Sequence, residues 1–263
     1  MIRIVSILVS KFKIILKLIK TIKNWYVYPL VYFNLTKSEY VILETKSGIK
    51  IKLRVNSTDL MAFTHVWLIE EYFKKNFEIH DNDIVVDVGS HIGLFALYAS
   101  QFCKHGKIIC FEPIKENYDM LLSNLELNNI KNAITYNKAV SKTNSPIRIY
   151  LNSDESGHSM FEHQETYVDV DSVSLPQIID EHNMSCIDFL KLDCEGAEYE
   201  IIDNLNKSKF DQIKKMVIEY HLADSKPHLL QNLTDKLKSN SFKISTKPLF
   251  SDIGFLYVEK IDS

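Results

Sequence analysis

The 263-residue sequence predicts an α/β protein: a seven-stranded, mostly parallel sheet with helices on both faces, an antiparallel final strand pair and a basic helical extension at the start. Three observations carry this reading. From Asp83 onward, short apolar runs alternate with helical patterns, as expected of strand–helix–strand units stacked into a parallel sheet. The first of those runs, Asp83–Val88, passes into a turn bounded by Gly89 and Gly93 and then into helical spacing (Ile92, Leu94, Phe95, Leu97, Tyr98). The last two strand-like runs, 242–247 and 254–260, are joined only by Lys247–Gly254. A connection that short joins antiparallel neighbours.

In chain order, residues 1–38 read as the basic, apolar helical extension, 39–80 as a hairpin and helices covering the site, and 81–263 as the sheet domain. Tyr40–Glu44 and Ile49–Arg54 flank Lys46-Ser47-Gly48, a hairpin signal. Asn56-Ser57-Thr58-Asp59 resembles a helix start, with helical spacing through Leu60, Phe63, Val66, Leu68 and Tyr72. Core strands are expected near 83–88, 107–112, 133–140, 186–193 and 214–221, and helices near 92–104, 114–128, 197–205 and 226–239. An insertion, 142–182, holds strand-like 146–151 and 166–173 and the polar loop Asn152–His163.

Two strand ends carry the first functional signal. In an open α/β sheet, ligands lie outside the carboxyl ends of the strands. The first strand ends in Asp87 and the second, 107–112, carries Glu112 at its carboxyl end, with Pro113 next. A glycine at 89 lets backbone approach a ligand, and the following helix offers free N–H groups. An acid about twenty residues further on suits the two hydroxyls of a ribose. A dinucleotide fingerprint needs three glycines, and only Gly89 and Gly93 are present, with Ser90-His91-Ile92 between them. A phosphate-cradling loop would need Gly-Lys-Ser/Thr, which is absent. Asp87 would repel a pyrophosphate and attract an ammonium or sulfonium group. S-adenosylmethionine, a nucleoside with a cationic sulfur, an amine and no phosphate, therefore fits better than NAD. Asp87, Gly89, Ser90, His91, Gly93, Glu112 and Pro113 are the cofactor-site candidates.

Composition bounds the setting. A hydrophobic share of 46% with 25% charged residues is ordinary for a soluble globular chain. The four cysteines, Cys103, Cys110, Cys186 and Cys194, form no C-x-x-C pair and read as free thiols in a reducing, cytoplasmic compartment. The formal charge of −3 hides an asymmetry: residues 1–38 hold seven basic side chains and no acid, so the remainder carries 24 basic and 34 acidic groups, or −10. A net-acidic body with no basic stripe argues against a nucleic-acid partner. The longest uncharged run of the extension, Ile4–Ser10, is far short of the ~20 residues a spanning helix needs. Residues 1–24 are expected to brace the chain's own core, to lie on a membrane surface, which would make the protein peripheral, or to bind a partner protein.

Taken together, Val85–Gly93, Phe111-Glu112-Pro113, Asn137–Ser141 and above all Ile187-Asp-Phe-Leu-Lys-Leu-Asp-Cys-Glu-Gly-Ala-Glu198 resemble the FkbM family of S-adenosylmethionine-dependent methyltransferases, which has a Rossmann-like class I fold. The last segment matches that family's K-x-D-x-E-G-x-E signature, and the similarity runs loosely from Gly48 to Lys260, including Ser57-Thr58-Asp59 and Glu71-Tyr72. The resemblance adds Ala139 to the cofactor candidates and implies O-methylation of a carbohydrate, glycan or related small molecule. His91 stands where the family more often has asparagine, and Leu175-Pro176 replaces a leucine–aspartate pair, so no role for that acid carries over.

Lys191, Asp193 and Glu195 alternate along a strand end and share a face. Gly196 then permits a turn into the next helix. A sugar hydroxyl is a poor nucleophile near neutral pH and needs a base or a metal. Asp193, Glu195 and His221 are the catalytic candidates for orienting and deprotonating it. Lys191 paired with Glu195 or Glu198 as a brace is the structural alternative. Asp193 and Glu219 could instead hold Mg²⁺, and His158 could reach in from the insertion. Competing functions are N-methylation, a non-catalytic binding module tethered by the basic helix, and an NAD-dependent sugar-modifying enzyme.

Overall fold

In a computed structural model of the chain, residues 2–150 and 166–261 are described, with side chains from residue 12. His158 and the loop Asn152–His163 lie outside the described residues. The central sheet contains β3 (Ile84–Val88), β4 (Lys107–Phe111), β5 (Ala133–Tyr136), β10 (Ile187–Leu192), β11 (Ile213–Tyr220), β12 (Phe242–Pro248) and β13 (Gly254–Lys260). Their spatial order is β12-β13-β11-β10-β3-β4-β5. Six strands run one way. Only β13 is reversed, antiparallel to both β11 and β12. Strand order turns back between β3 and β10: the chain proceeds from β3 outward to β5, then restarts on β3's other side. That reversal is where open α/β sheets bind ligands.

The central strands are buried on both faces, as their apolar runs require. One face packs Phe95, Leu97, Leu121 and Phe189, together with Phe63 and Trp67 from the covering segment. The other packs Ile178, Ile201, Phe210 and Leu237. The helices responsible are α4 (Leu94–Ala99) and α5 (Lys115–Leu127) on the first face, and α6 (Leu175–Glu181), α7 (Glu198–Asp203), α8 (Lys207–Phe210) and α9 (Pro227–Ser239) on the second.

Before the sheet come α1 (Ile2–Thr21), α2 (Val27–Tyr32) and the hairpin β1 (Tyr40–Glu44) and β2 (Lys50–Arg54). Next is α3 (Asp59–Phe63), which continues as a wider π-helical turn, Thr64–Ile69, and stops at Glu70 in a left-handed conformation. Sequence spacing anticipated one helix here; the widened turn ends it before Tyr72, which then points toward the sheet edge. Residues 133–140, expected as one strand, divide: β5 stays in the sheet, while β6 (Ala139–Ser141) pairs in parallel with β9 (Ser172–Ser174). The insertion's β7 (Ile147–Tyr150) and β8 (Tyr167–Val170) form an antiparallel ribbon. Helix α6 was not expected. It opens on Pro176 in its first turn, and the Ser174 hydroxyl accepts a bond from the Gln177 N–H.

All four cysteines are free, Cys103 and Cys110 buried and Cys186 and Cys194 half-buried. No helix among the described residues is long and apolar enough to cross a membrane.

Candidate active site

A cavity of about 360 Å³ opens at the carboxyl ends of β3, β4, β10 and β11, within the size range of small-molecule sites. Its cofactor-side wall is built mostly by backbone. Gly89 has φ +73, and a Cβ there would sit 1.7 Å from the Asp193 carbonyl oxygen, so the β3 and β10 tips can approach only because residue 89 has no side chain. The Gly89 and Ser90 N–H groups both donate to the Phe111 carbonyl, and the Gly93 N–H donates to that of Ser90. The His91 N–H, from a left-handed backbone (φ +50), donates to Glu112 Oε2 at 2.8 Å. These amides are engaged inside the protein and offer nothing to a pyrophosphate.

Glu112 is 5% exposed. Its two oxygens accept one backbone N–H each, from His91 and Ile114 (3.0 Å), which leaves acceptor capacity toward the cavity it lines. Burial pushes its carboxyl up to about 7. A carboxylate held by backbone at this strand end fits the vicinal hydroxyls of a nucleoside.

Of the cofactor candidates, Gly89, Ser90, His91, Glu112, Pro113 and Ala139 line the cavity, and Gly93 and Asp87 do not. Gly93 instead caps α4 with φ +86, where a Cβ would collide with Leu121. Asp87, expected to face a cationic ligand, is fully buried behind the turn, with Lys191 Nζ 3.1 Å from its Oδ1. The register explains this. Lys191 and Asp87 are direct partners across β10 and β3, so their side chains leave the sheet together. The contact is one of charge, because neither Asp87 oxygen has a well-aligned hydrogen-bond donor. Burial raises the Asp87 carboxyl, with Lys191 opposing it. Lys191 also donates to the Gly89 carbonyl at 2.8 Å and stands 3.5 Å from Asp193. The expected Lys191–Glu195 or Lys191–Glu198 brace is thereby replaced by a cation tying the two strand tips together.

The opposite wall is built from side chains. The Tyr72 hydroxyl lies 2.7 Å from Asp193 Oδ2 and 2.8 Å from Glu219 Oε2. One hydroxyl proton cannot satisfy two ionised carboxylates, so this trio carries a second proton. Glu219 holds it: burial, then the Asp193 charge, raise its carboxyl to about 8. Burial also works to raise Asp193, but Lys191 and His221 outweigh it and hold that carboxyl below its ordinary value. The neutral Glu219 acid thus donates to Tyr72, and Tyr72 donates to ionised Asp193.

His221 stands between two acids, with Nε2 3.3 Å from Glu195 and Nδ1 3.2 Å from fully buried Glu198. Burial alone would lower it, yet the bond and charge of Glu198, joined by Glu195, raise it to about 10. It is therefore an imidazolium at neutral pH with no lone pair to take a proton, which corrects its expected role as a base. Glu198 is fixed from below by the Gly196 N–H (2.8 Å) and the His221 N–H (3.0 Å). Glu195 has φ +51 and lines the cavity.

Donor atoms of Asp193, Glu219 and His221 lie within 4.8 Å of one another. They do not fit Mg²⁺, which takes oxygen ligands in an octahedron. Both His221 nitrogens are turned to carboxylates, and the two acids share the Tyr72 hydroxyl.

Sequence reasoning also missed a cluster around His91. Arg54 donates to both oxygens of buried Asp59 and to Asn117, and His91 Nε2 lies 3.7 Å from Asp59. Burial lowers His91 to about 4, so its ring is neutral.

Comparison with known proteins shows the family. The family described as "Methyltransferase FkbM domain" matches residues 87–244, a span running from the Asp87 strand tip to β12. "Methyltransferase 1" of Beauveria bassiana is 26% identical over 189 residues, covering 64% of this chain and 75% of that protein. "Methyltransferase sdnD" of Sordaria araneosa is 27% identical over 189 residues, covering 59% and 73%. Among solved structures, methyltransferase FkbM from Methylobacillus flagellatus shares the fold, with a TM-score of 0.50 and 18% identity over 76% of this chain and 53% of that one. With more than half of its length matched, and its glycine turn and K-x-D-x-E-G-x-E strand end facing one cavity, the chain belongs to the FkbM methyltransferase family and is an S-adenosylmethionine-dependent enzyme.

Proposed function

We propose that the protein transfers a methyl group to a hydroxyl of a carbohydrate, glycan or related small molecule. Bound S-adenosylmethionine supplies an electrophilic methyl on a positively charged sulfur. Glu112 would accept from the ribose hydroxyls, with Gly89, Ser90, His91, Pro113 and Ala139 lining the cavity that would hold the nucleoside. Asp87 acts through Lys191, holding the β3 and β10 tips in register.

The single observation behind a hydroxyl acceptor is Asp193. Its side chain is 25% exposed on the cavity wall and 3.5 Å from Lys191, and it is kept ionised beside a neutral Glu219. It accepts the acceptor's O–H hydrogen bond and orients the oxygen. Its low basicity is no obstacle, because an alcohol oxygen becomes strongly acidic as it gains a methyl carbon, and Asp193 receives the proton at that stage. Glu195 lines the cavity beside it, braced by the imidazolium of His221. Met61, Ala62 and His65 from the covering segment and Ile149 from the insertion shape the acceptor side. Carbohydrate preference rests on the family resemblance.

The test supplies labelled S-adenosylmethionine with parallel panels of saccharides and of amines of matched size, and locates the product methyl by NMR. Methyl ethers are expected. Labelling of amines alone overturns the reading in favour of N-methylation.

A further inference from the structure

The amino-terminal extension carries two apolar stripes, and the fold uses one of them. Leu18 and Ile22 are buried in the core, joined by partly buried Ile14. Lys17 turns inward to Glu70 at 2.7 Å and Lys23 reaches Glu44 at 3.0 Å. Ile22 also bridges to Thr45 of the hairpin. The helix is thus fastened along one side, which meets the expectation of a brace.

The other side has no partner among the described residues. Phe12, Ile15, Leu16 and Ile19 are 60%, 50%, 42% and 38% exposed. Their spacing of three, one and three residues makes one continuous helical stripe. Exposed Lys13 and Lys20 lie along its flank. Beyond the helix, Trp25, Tyr26, Tyr32 and Phe33 are 42–64% exposed, and Leu35 reaches 69%. Half of the large apolar side chains exposed among the described residues, ten of twenty, fall between residues 12 and 35. Scattered exposed apolar residues need no explanation, but a set of this size gathered in one stretch of chain does.

Charge identifies the occupant. The extension has seven basic residues and no acid, against −10 for the rest of the chain. An anionic surface attracts this end of the molecule and repels the other. Trp and Tyr at the border of an apolar face, flanked by lysines, match the chemistry of a lipid–water interface. The helix does not qualify as a span, so on a membrane it would lie in the interface plane rather than cross it.

We propose that the face formed by α1 and α2 docks on an anionic lipid bilayer surface. The face adjoins the active-site wall. Helix α1 packs on the turn 64–69 and α2 on α3, and Met61, Ala62 and His65 of those segments line the cavity. Docking therefore leaves only the α1 and α2 layer between the covering segment and the bilayer.

The full chain is sedimented with vesicles of phosphatidylcholine alone and of phosphatidylcholine mixed with phosphatidylserine. Binding is expected to the mixed vesicles only, and to weaken as salt is raised. Lys13→Glu with Lys20→Glu should weaken it roughly tenfold or more, and Phe12→Ser with Leu16→Ser should abolish it. S-adenosylmethionine affinity, measured by calorimetry, reports that each variant is folded. Failure to bind either vesicle overturns the proposal, as does equal binding to both. A concentration-dependent dimer that both surface variants dissolve, without vesicle binding, overturns it in favour of a second copy of the chain.

Discussion

The two halves of the cavity are held together by different means. On the β3–β4 side, backbone makes the site: the turn amides bond to Phe111 and Ser90, and Glu112 is gripped by two main-chain N–H groups. On the β10–β11 side, side chains make it: Lys191, Asp193, Tyr72, Glu219, His221, Glu195 and Glu198 hold one another by charge and shared protons. The first half is set by local geometry, and the second by protonation and by residues far apart in the chain. The cofactor side should therefore break sterically and the acceptor side chemically.

The largest effect is expected from Asp193→Asn. If this carboxylate receives the acceptor proton, methyl transfer should fall by about 10²–10⁴-fold, with S-adenosylmethionine affinity in calorimetry little changed. A variant as active as its parent removes Asp193 from the reaction. Next, Gly89→Ala places a methyl 1.7 Å from the Asp193 carbonyl at φ +73. A stability loss of about 2–4 kcal/mol is expected in denaturant unfolding; an unperturbed midpoint would mean that the two strand tips can separate without cost. Glu112→Ala should weaken S-adenosylmethionine binding by about 1–3 kcal/mol if two ribose hydrogen bonds are lost. Unchanged affinity would dismiss the ribose assignment.

The smallest effect concerns protons. Folded Glu219 titrates at about 8 against an ordinary 4.5, so between those values the folded chain keeps a proton that the unfolded chain has released. Stability therefore declines as pH rises through that window. His221, at about 10 against 6.5, contributes stability that is complete below about 6.5 and is lost as pH climbs through 10. Glu219→Gln keeps a donor toward Tyr72 at every pH. It should remove Glu219's share of the first decline, leave the share of Glu112, which is raised to about 7, and keep neutral-pH activity near that of the parent, measured as unfolding midpoints and initial rates across pH. A profile identical to the parent's would place the shared proton elsewhere.

The same contrast decides how much could be read from sequence. The parallel sheet, the hairpin and the antiparallel closure follow from apolar runs and short connections, which are local signals. Glu112 was legible because a strand–helix–strand unit fixes its distance from Gly89. Asp87 was legible as an acid at a strand tip, but its direction was not, because only the pairing of β3 with β10 sets it beside Lys191. Tyr72 joins Asp193 and Glu219 across 121 and 147 residues, a separation that no spacing rule spans. His221 looked like a base until both flanking acids were placed. Ser174 followed by Leu175-Pro176 was in fact a helix-start signal, a cap with proline in the first turn, and α6 could have been found from it. The split at 133–140 had no comparable marker.

Glu70 ties these regions together. It closes the turn 64–69 and receives Lys17 from α1, and it sits two residues ahead of the tyrosine shared by Asp193 and Glu219. The first helix is therefore joined to the covering segment by this half-exposed ion pair beside the packing of Leu18, two residues ahead of the tyrosine that reaches the reacting end of the cleft.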